Sequence, residues 1–255
     1  MILLLFSGGL DSMVLAEKVL QSGQQLVTVF FRYPHPAAPE EYRAVSEWHR
    51  RKLLDGHSIR HIEVSLPLWG CDKMSTGAGE EGPRVLPGRN QVMLSNAINI
   101  AASIGAHAVI YGANLDDSED YPDCRPMWVE LMNRMGREWG VTVKAPLLYK
   151  TKNQIVGEAR DLGVIFDRIV QSDGRRLFPD SCCQNKINLR FDHETGDTEC
   201  VSCGQTLKIV TENLSWSCYQ PKDGRPCGTC DSCKSLKNAM PPMATFLEAK
   251  YGTTD

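Results

Sequence analysis

Strand-like segments at 2–6, 25–31, 57–64, 108–112 and 142–145, the first a continuous apolar run, alternate with segments of helical character at 10–20, 40–54, 91–103, 125–139 and 152–162. No other feature narrows the fold as much. The strand-like segments have the length of buried strands, while Leu10, Val14, Leu15, Val19 and Leu20 recur at the spacing of one helix face. Val92, Leu94, Ser95, Ala97, Ile98, Ala101 and Ala102 give a second small and apolar face. Strands alternating with helices imply right-handed crossovers, which cover both faces of a parallel sheet. The expected fold class is therefore α/β, a doubly wound, mostly parallel sheet. A length of 255 residues suits one such domain with a small module. Beyond about residue 167 the composition shifts to Cys, Gly, Asp and Asn, with β-like pieces at 186–191 and 205–210. The expected division is an α/β domain over 1–166 and a cysteine-rich C-terminal region over 167–255.

Composition excludes some function classes. The formal net charge of -3 supplies no global basic field of the kind that nucleic-acid binding requires. The apolar start of the chain is interrupted at Ser7, Gly8, Gly9 and Asp11, no basic stretch precedes it, and no later run has the length of a membrane span. The expected location is the cytoplasm.

Ser7-Gly8-Gly9-Leu10-Asp11-Ser12 stands between the first expected strand and the first expected helix. Backbone N–H groups and the positive end of a helix bind anions there, and two glycines let the main chain approach phosphate oxygens. Ser7 and Ser12 add hydroxyl donors, and Asp11 can hold a divalent cation such as Mg²⁺. Neither the G-x-G-x-x-G nor the Walker spacing is present at this position. The loop is similar to the pyrophosphate loop of the N-type ATP pyrophosphatases. That resemblance implies an adenine nucleotide alpha hydrolase-like fold and ATP cleaved between its α and β phosphates with Mg²⁺. It also implies an adenylate attacked by a nitrogen or sulfur nucleophile.

Two further segments leave the carboxyl side of the expected sheet, where open α/β sheets bind ligands. Leu86-Pro87-Gly88-Arg89-Asn90 offers Arg89 as a planar fork for a carboxylate or phosphate, and Asn90, like Asn114, can read an amide. Tyr121-Pro122-Asp123-Cys124-Arg125-Pro126 offers a second fork at Arg125 and, at Asp123, an acceptor for two donors of a guanine-like edge. Cys124 has no histidine beside it in sequence and reads as a packing or substrate contact rather than a nucleophile.

Ten cysteines are present, eight of them between 182 and 233. Cys218-x8-Cys227-x2-Cys230-x2-Cys233 has the make-up of a closed tetrahedral Zn²⁺ site at 218–233, structural because four thiolates saturate the metal. A [4Fe–4S] cluster or redox thiols would use the same residues. Cys182, Cys183, Cys200 and Cys203 form a second candidate zinc site in an inserted, ribbon-like segment over 174–212. His193 is an alternative fourth ligand there.

Together, Ser7 to Ser12, Pro87-Gly88-Arg89-Asn90, Tyr121 to Pro126, and Ser217-Cys218-Tyr219 with Cys227, Cys230 and Cys233 resemble the 7-cyano-7-deazaguanine synthase (QueC-like) family in order and spacing. That family adenylates 7-carboxy-7-deazaguanine, forms the amide with ammonia, and dehydrates it to the nitrile with a second ATP. The resemblance implies that Ser7, Gly8, Gly9, Leu10, Asp11 and Ser12 hold ATP. It likewise implies that Arg89, Asn90, Tyr121, Asp123 and Arg125 contact the deazaguanine or its adenylate, that Ser7, Asp11, Ser12 and Arg89 serve catalysis, and that the protein is a homodimer. The chain departs from the family after the second strand. A Tyr-Gly-Gln-x-x-His-like segment is replaced by Phe31-Arg32-Tyr33-Pro34-His35-Pro36, and the prolines set a different loop path. That difference, with the extra cysteine segment, motivates a second expectation, transfer of the deazaguanine acyl group to a protein amine in antiphage defence. A third, of another class, is a non-catalytic nucleotide- or tRNA-binding zinc protein.

Overall fold

The computed structural model describes residues 1–68, 86–171, 189–191, 198–200 and 202–240. The chain forms two compact units, the larger built from Met1–Val164 together with Leu214–Met240. In the larger unit the order is β1 (Ile2–Leu5), α1 (Leu10–Gln21), β2 (Leu26–Arg32), α2 (Ala38–Leu54), β3 (Arg60–Ser65), α3 (Arg89–Ile104) and β4 (Ala108–Ile110). A one-turn α4 (Asp117–Asp120), a 3-10 turn (Pro122–Cys124), α5 (Pro126–Arg137), β5 (Thr142–Lys144) and α6 (Lys152–Asp161) follow. The five strands are all parallel in the order β3-β2-β1-β4-β5, with Ile2 level with both Leu26 and Ala108.

This order explains the two helical layers. Moving from β1 to β2 to β3 and then back across the sheet from β3 to β4 to β5 reverses direction, and right-handed crossovers then place the helices on opposite faces. Accordingly α1 packs against α6, and α3 against α5. Alternate strand residues follow suit. Leu3, Val27, Val29, Val109 and Val143 form one core with Met93, Leu94, Ala97 and Ile98 of α3 and Met132 of α5. The doubly wound α/β fold expected from the alternation of strand-like and helix-like segments is the fold that forms, and its inner strands β1, β2 and β4 run apolar on both faces because both faces are covered, while the edge strands β3 and β5 carry polar residues.

Thr28, fully buried in β2, is the polar exception. Its Oγ1 lies 2.9 Å from His49 Nε2 and 2.8 Å from His61 Nδ1, and His49 Nδ1 lies 2.8 Å from the Val45 carbonyl. A carbonyl only accepts, so the network assigns the His49 proton to Nδ1. Thr28 then donates to His49 Nε2, and His61 Nδ1–H donates to Thr28. Burial holds both imidazoles below their ordinary pKa, His61 at about 4, with His49 as a second cause for His61. Thr28→Val should therefore strand two imidazole nitrogens and destabilise the protein by ~3 kcal/mol in urea unfolding, whereas Thr28→Ser should recover most of the loss.

The chain leaves the larger unit after Val164 and re-enters at Leu214, whose N–H donates to the Val164 carbonyl at 3.0 Å. Between these points β6 (Ile165–Gln171), β7 (Leu189–Phe191), β8 (Thr198–Cys200) and β9 (Thr206–Asn213) form an antiparallel sheet in the order β6-β9-β8-β7. The boundary thus falls differently from a single cut at 166. Residues 214–240, with the 218–233 cysteines and α7 (Asp231–Ala239), belong to the unit of the parallel sheet. The cause is the pairing of β6 with β9, which brings the two ends of the insertion side by side. Cys200 and Cys203 sit on a tight turn, with the Cys203 and Gly204 N–H groups donating to the Cys200 carbonyl. Cys182, Cys183 and His193 lie outside the described residues.

Candidate functional site

Phe6 prolongs β1 by one residue, its N–H donating to Val29 O at 2.8 Å, and the chain then turns at Gly8 with φ +78°. A Cβ there would stand 2.9 Å from the Glu41 carbonyl of α2, so both conformation and space demand glycine. Gly9 is the N-cap of α1 and receives no side-chain cap. The loop braces itself instead. Ser12 Oγ donates to Gly9 O at 2.9 Å and Gly9 N–H donates to Ser7 Oγ at 3.3 Å, so the first-turn amides of α1 face the crevice at the carboxyl edge between β1 and β4. Gly112 brings the chain leaving β4 so close that a Cβ would lie 2.9 Å from Asp11 Cβ.

Charges from distant parts of the sequence converge on this loop. Lys152 Nζ donates to both Asp11 oxygens, at 3.0 and 2.9 Å, and buried Asn114 donates to Asp11 at 3.2 Å and Asp117 at 2.7 Å. Burial works against the Lys152 charge, but Asp11, Asp117 and Asp116 outweigh it and hold the ammonium above its ordinary pKa. Burial also raises Asp117 to about 6, against the pull of Lys152. Lys152 stands at the first position of α6 because Thr151 and Gln154 form a reciprocal capping box that starts the helix there.

A cleft of about 330 Å³ opens over the loop. Ser7, Gly9, Leu10, Asp11, Ser12, Arg89, Asn90 and Tyr121 line it, and Gly8 supports the turn beneath. Asp123 and Arg125 do not line it. The 3-10 turn aims the Asp123 carboxylate at the N-terminus of α3, where it accepts the Asn90 N–H at 3.3 Å. Exposed Arg125 folds back on the Ser118 and Glu119 carbonyls at the end of α4, at 3.0 and 3.2 Å. Cys124 reaches the cleft wall, but burial pushes its thiol up to about 12, which leaves no thiolate at neutral pH. Lys152, Asp117 and Glu41 are lining residues that the sequence reading did not single out. The Thr151-x-x-Gln154 signature was the available signal for Lys152.

The returning segment forms the opposite wall. Trp216 N–H donates to Gly8 O at 2.8 Å and its indole N–H donates to Cys218 O at 2.9 Å, while Ser217 and Tyr219 line the cleft. Immediately beyond, the Sγ atoms of Cys218, Cys227, Cys230 and Cys233 all lie within 4.8 Å of one another. Zn–S bonds of 2.3 Å in a tetrahedron require sulfur separations of about 3.8 Å, so the set fits one closed metal centre. Cys227 Sγ accepts N–H bonds from Thr229 and Cys230 and a hydroxyl bond from Thr229. Burial opposes its ionisation, but these donors prevail and bring its pKa to about 6. Cys230 caps α7, whose N-terminus adds positive potential beside the sulfurs.

Fold and site together define a parallel α/β protein with a glycine-turned helix terminus beside a cleft and a four-cysteine cluster that could hold a metal ion. The family model described as "Queuosine biosynthesis protein QueC" matches residues 1–172 and 193–243, and the chain belongs to that family. A "7-cyano-7-deazaguanine synthase" of Hahella chejuensis is 30% identical over 90% of this chain and 83% of its own length. One of Novosphingobium aromaticivorans is 30% identical over 97% of this chain and 93% of its own. Among solved structures, NMN synthetase from Francisella tularensis aligns at 19% identity with a TM-score of 0.41, covering 64% of this chain and 61% of that one. No helix among the described residues is long and apolar enough to cross a membrane.

Burial raises the Glu41 carboxyl to about 8, with Arg89 opposing, so the folded state holds a proton that the unfolded chain has released. The stability this contributes is complete below the unfolded value near 4.5 and is lost as pH rises through 8. Thermal unfolding at pH 6.5 and 8.5 should therefore show a larger fall in Tm for the wild type than for Glu41→Gln, whose side chain does not titrate.

Proposed function

We propose that the chain is an ATP-dependent 7-cyano-7-deazaguanine synthase. It adenylates 7-carboxy-7-deazaguanine with release of pyrophosphate, couples the acyl group to ammonia, and uses a second ATP to convert the amide to the nitrile. The observation that carries the proposal is the α1 terminus, turned toward the crevice by Gly8, with Lys152 and Asp11 beside it. A carboxylate is a poor electrophile until one oxygen becomes a leaving group, and adenylation makes it one. Negative charge then grows on the departing pyrophosphate, where the loop amides, the Ser7 and Ser12 hydroxyls and the Lys152 ammonium are fixed in advance. Asp11 and Asp117, which Asn114 draws together, would hold Mg²⁺, and the ion would supply neutralisation of phosphate charge. Arg89 and Asn90 orient the substrate carboxylate, and Tyr121 and Tyr219 offer faces for the flat deazaguanine ring.

Zinc is the metal proposed for the 218–233 centre. Its role is structural, because four thiolates leave no open position. Bound by Cys218, Cys227, Cys230 and Cys233, it would hold the 214–219 strap in place, and the Trp216 N–H bond to Gly8 would carry that support to the 7–12 loop. Incubation with the acid, ATP, Mg²⁺ and ammonium should yield the nitrile by mass spectrometry, with AMP and pyrophosphate; failure to release AMP would return the chain to the class of non-catalytic nucleotide binders. Replacing Lys152 by Met should slow acid-dependent pyrophosphate exchange by about 100-fold or more. Metal analysis of Cys218→Ser/Cys230→Ser should show the loss of one zinc equivalent and weaker nucleotide binding, and an iron–sulfur charge-transfer band in the wild type would contradict the zinc assignment.

A further inference from the structure

One wall of the cleft has no part in the chemistry above. Glu41, in the first turn of α2, lines the cleft with its side chain 17% exposed, and its Oε2 lies 3.4 Å from Nε2 of His35. The His35 side chain is 4% exposed and its ring stacks on Tyr33 at 4.4 Å and 26°. Arg89 closes the group, with Nη1 donating to Tyr33 OH at 3.4 Å. A carboxyl and an imidazole buried side by side are a poor choice for packing, since each loses water and their polar atoms approach no closer than 3.4 Å. They are a good arrangement for moving a proton. Burial raises Glu41 to about 8 and, with Arg89, lowers His35 to about 4, so the pair carries one proton, on Glu41, until the pH approaches 8, where the carboxylate able to accept a proton becomes populated. Arg89, whose charge is secured by Tyr33, Tyr219 and Glu41 against its burial, keeps the carboxylate form within reach.

The proposed reaction leaves a proton without a destination. When the nitrogen lone pair closes a C–N bond on the acyl carbon, the C–O bond to AMP breaks and AMP departs with its electron pair. The nitrogen, now bearing one proton too many, must release it. Dehydration of the amide asks the same of the same atom, which loses its remaining protons as the nitrile forms. We propose that the Glu41 carboxylate, positioned by His35, is the acceptor of the protons lost by the nitrogen nucleophile. The assignment rests on the synthase reading, and Glu41 lies on the same cleft as the phosphate loop, with its own carbonyl against Gly8.

The two half-reactions separate the possibilities. Acid-dependent pyrophosphate exchange reports adenylation and needs no nitrogen, whereas single-turnover transfer from preformed adenylate to ammonia needs the acceptor. Glu41→Gln should cut transfer by about 100-fold or more, with exchange reduced no more than about threefold. Glu41→Asp should retain part of the transfer rate, and His35→Gln should fall between the two. Added formate should restore transfer in Glu41→Ala at least tenfold, which a purely structural defect would not allow. Equal losses of exchange and transfer, unchanged transfer in Glu41→Gln, or no formate rescue would overturn the assignment. Absence of exchange in the wild type would overturn the synthase reading itself, a result distinguishable from all of these.

Discussion

The positive φ of Gly8 decides where the rest of the larger unit can go. By turning the chain out of β1 in a conformation that side chains resist, it starts α1 within four residues of the last ladder residue and leaves the first-turn amides pointing over the carboxyl edge of the sheet. The carbonyl of Glu41 occupies the space a Cβ would need, and the N–H of Trp216 takes the Gly8 carbonyl. The turn is therefore held from both sides, by α2 and by a strap more than 200 residues away in the chain.

That strap explains why the chain returns to the sheet after the 165–213 insertion. Residues 214–219 supply a wall of the cleft, and without an anchor such an irregular segment would be among the first to open. The four-cysteine centre follows directly, and α7 behind it packs on α6, the helix that carries Lys152. The cysteine cluster, the strap and the 7–12 loop form one mechanical series. In the proposed synthase, a metal saturated by protein sulfur would influence nucleotide chemistry without touching a phosphate.

Local patterns made much of this legible before the structure. The alternation of strand-like and helix-like segments marked all five strands of the parallel sheet, and the Ser7 to Ser12 pattern marked the glycine turn that opens α1, because both are written in consecutive residues. What stayed hidden depends on distant packing. The strand Ile165–Gln171 carries Asp167, Arg168 and Gln171 and becomes a strand through its partner β9. Lys152 gains its place from the fold that brings α6 beside Asp11, 141 positions away. Asp123 and Arg125 were named for their chemistry and yet serve the backbone, because a tight turn beside two helix termini gives a carboxylate and a guanidinium nearer partners than the cleft.

The central claim is that the amides opening α1 cradle the phosphates of ATP. Amide hydrogen exchange, followed residue by residue with and without a non-hydrolysable α,β-methylene ATP analogue and Mg²⁺, tests it most directly. The account predicts strong slowing at Gly9, Leu10, Asp11 and Ser12, with little change in the antiparallel strands of the insertion. Unaltered exchange at those four amides under saturating nucleotide would contradict it.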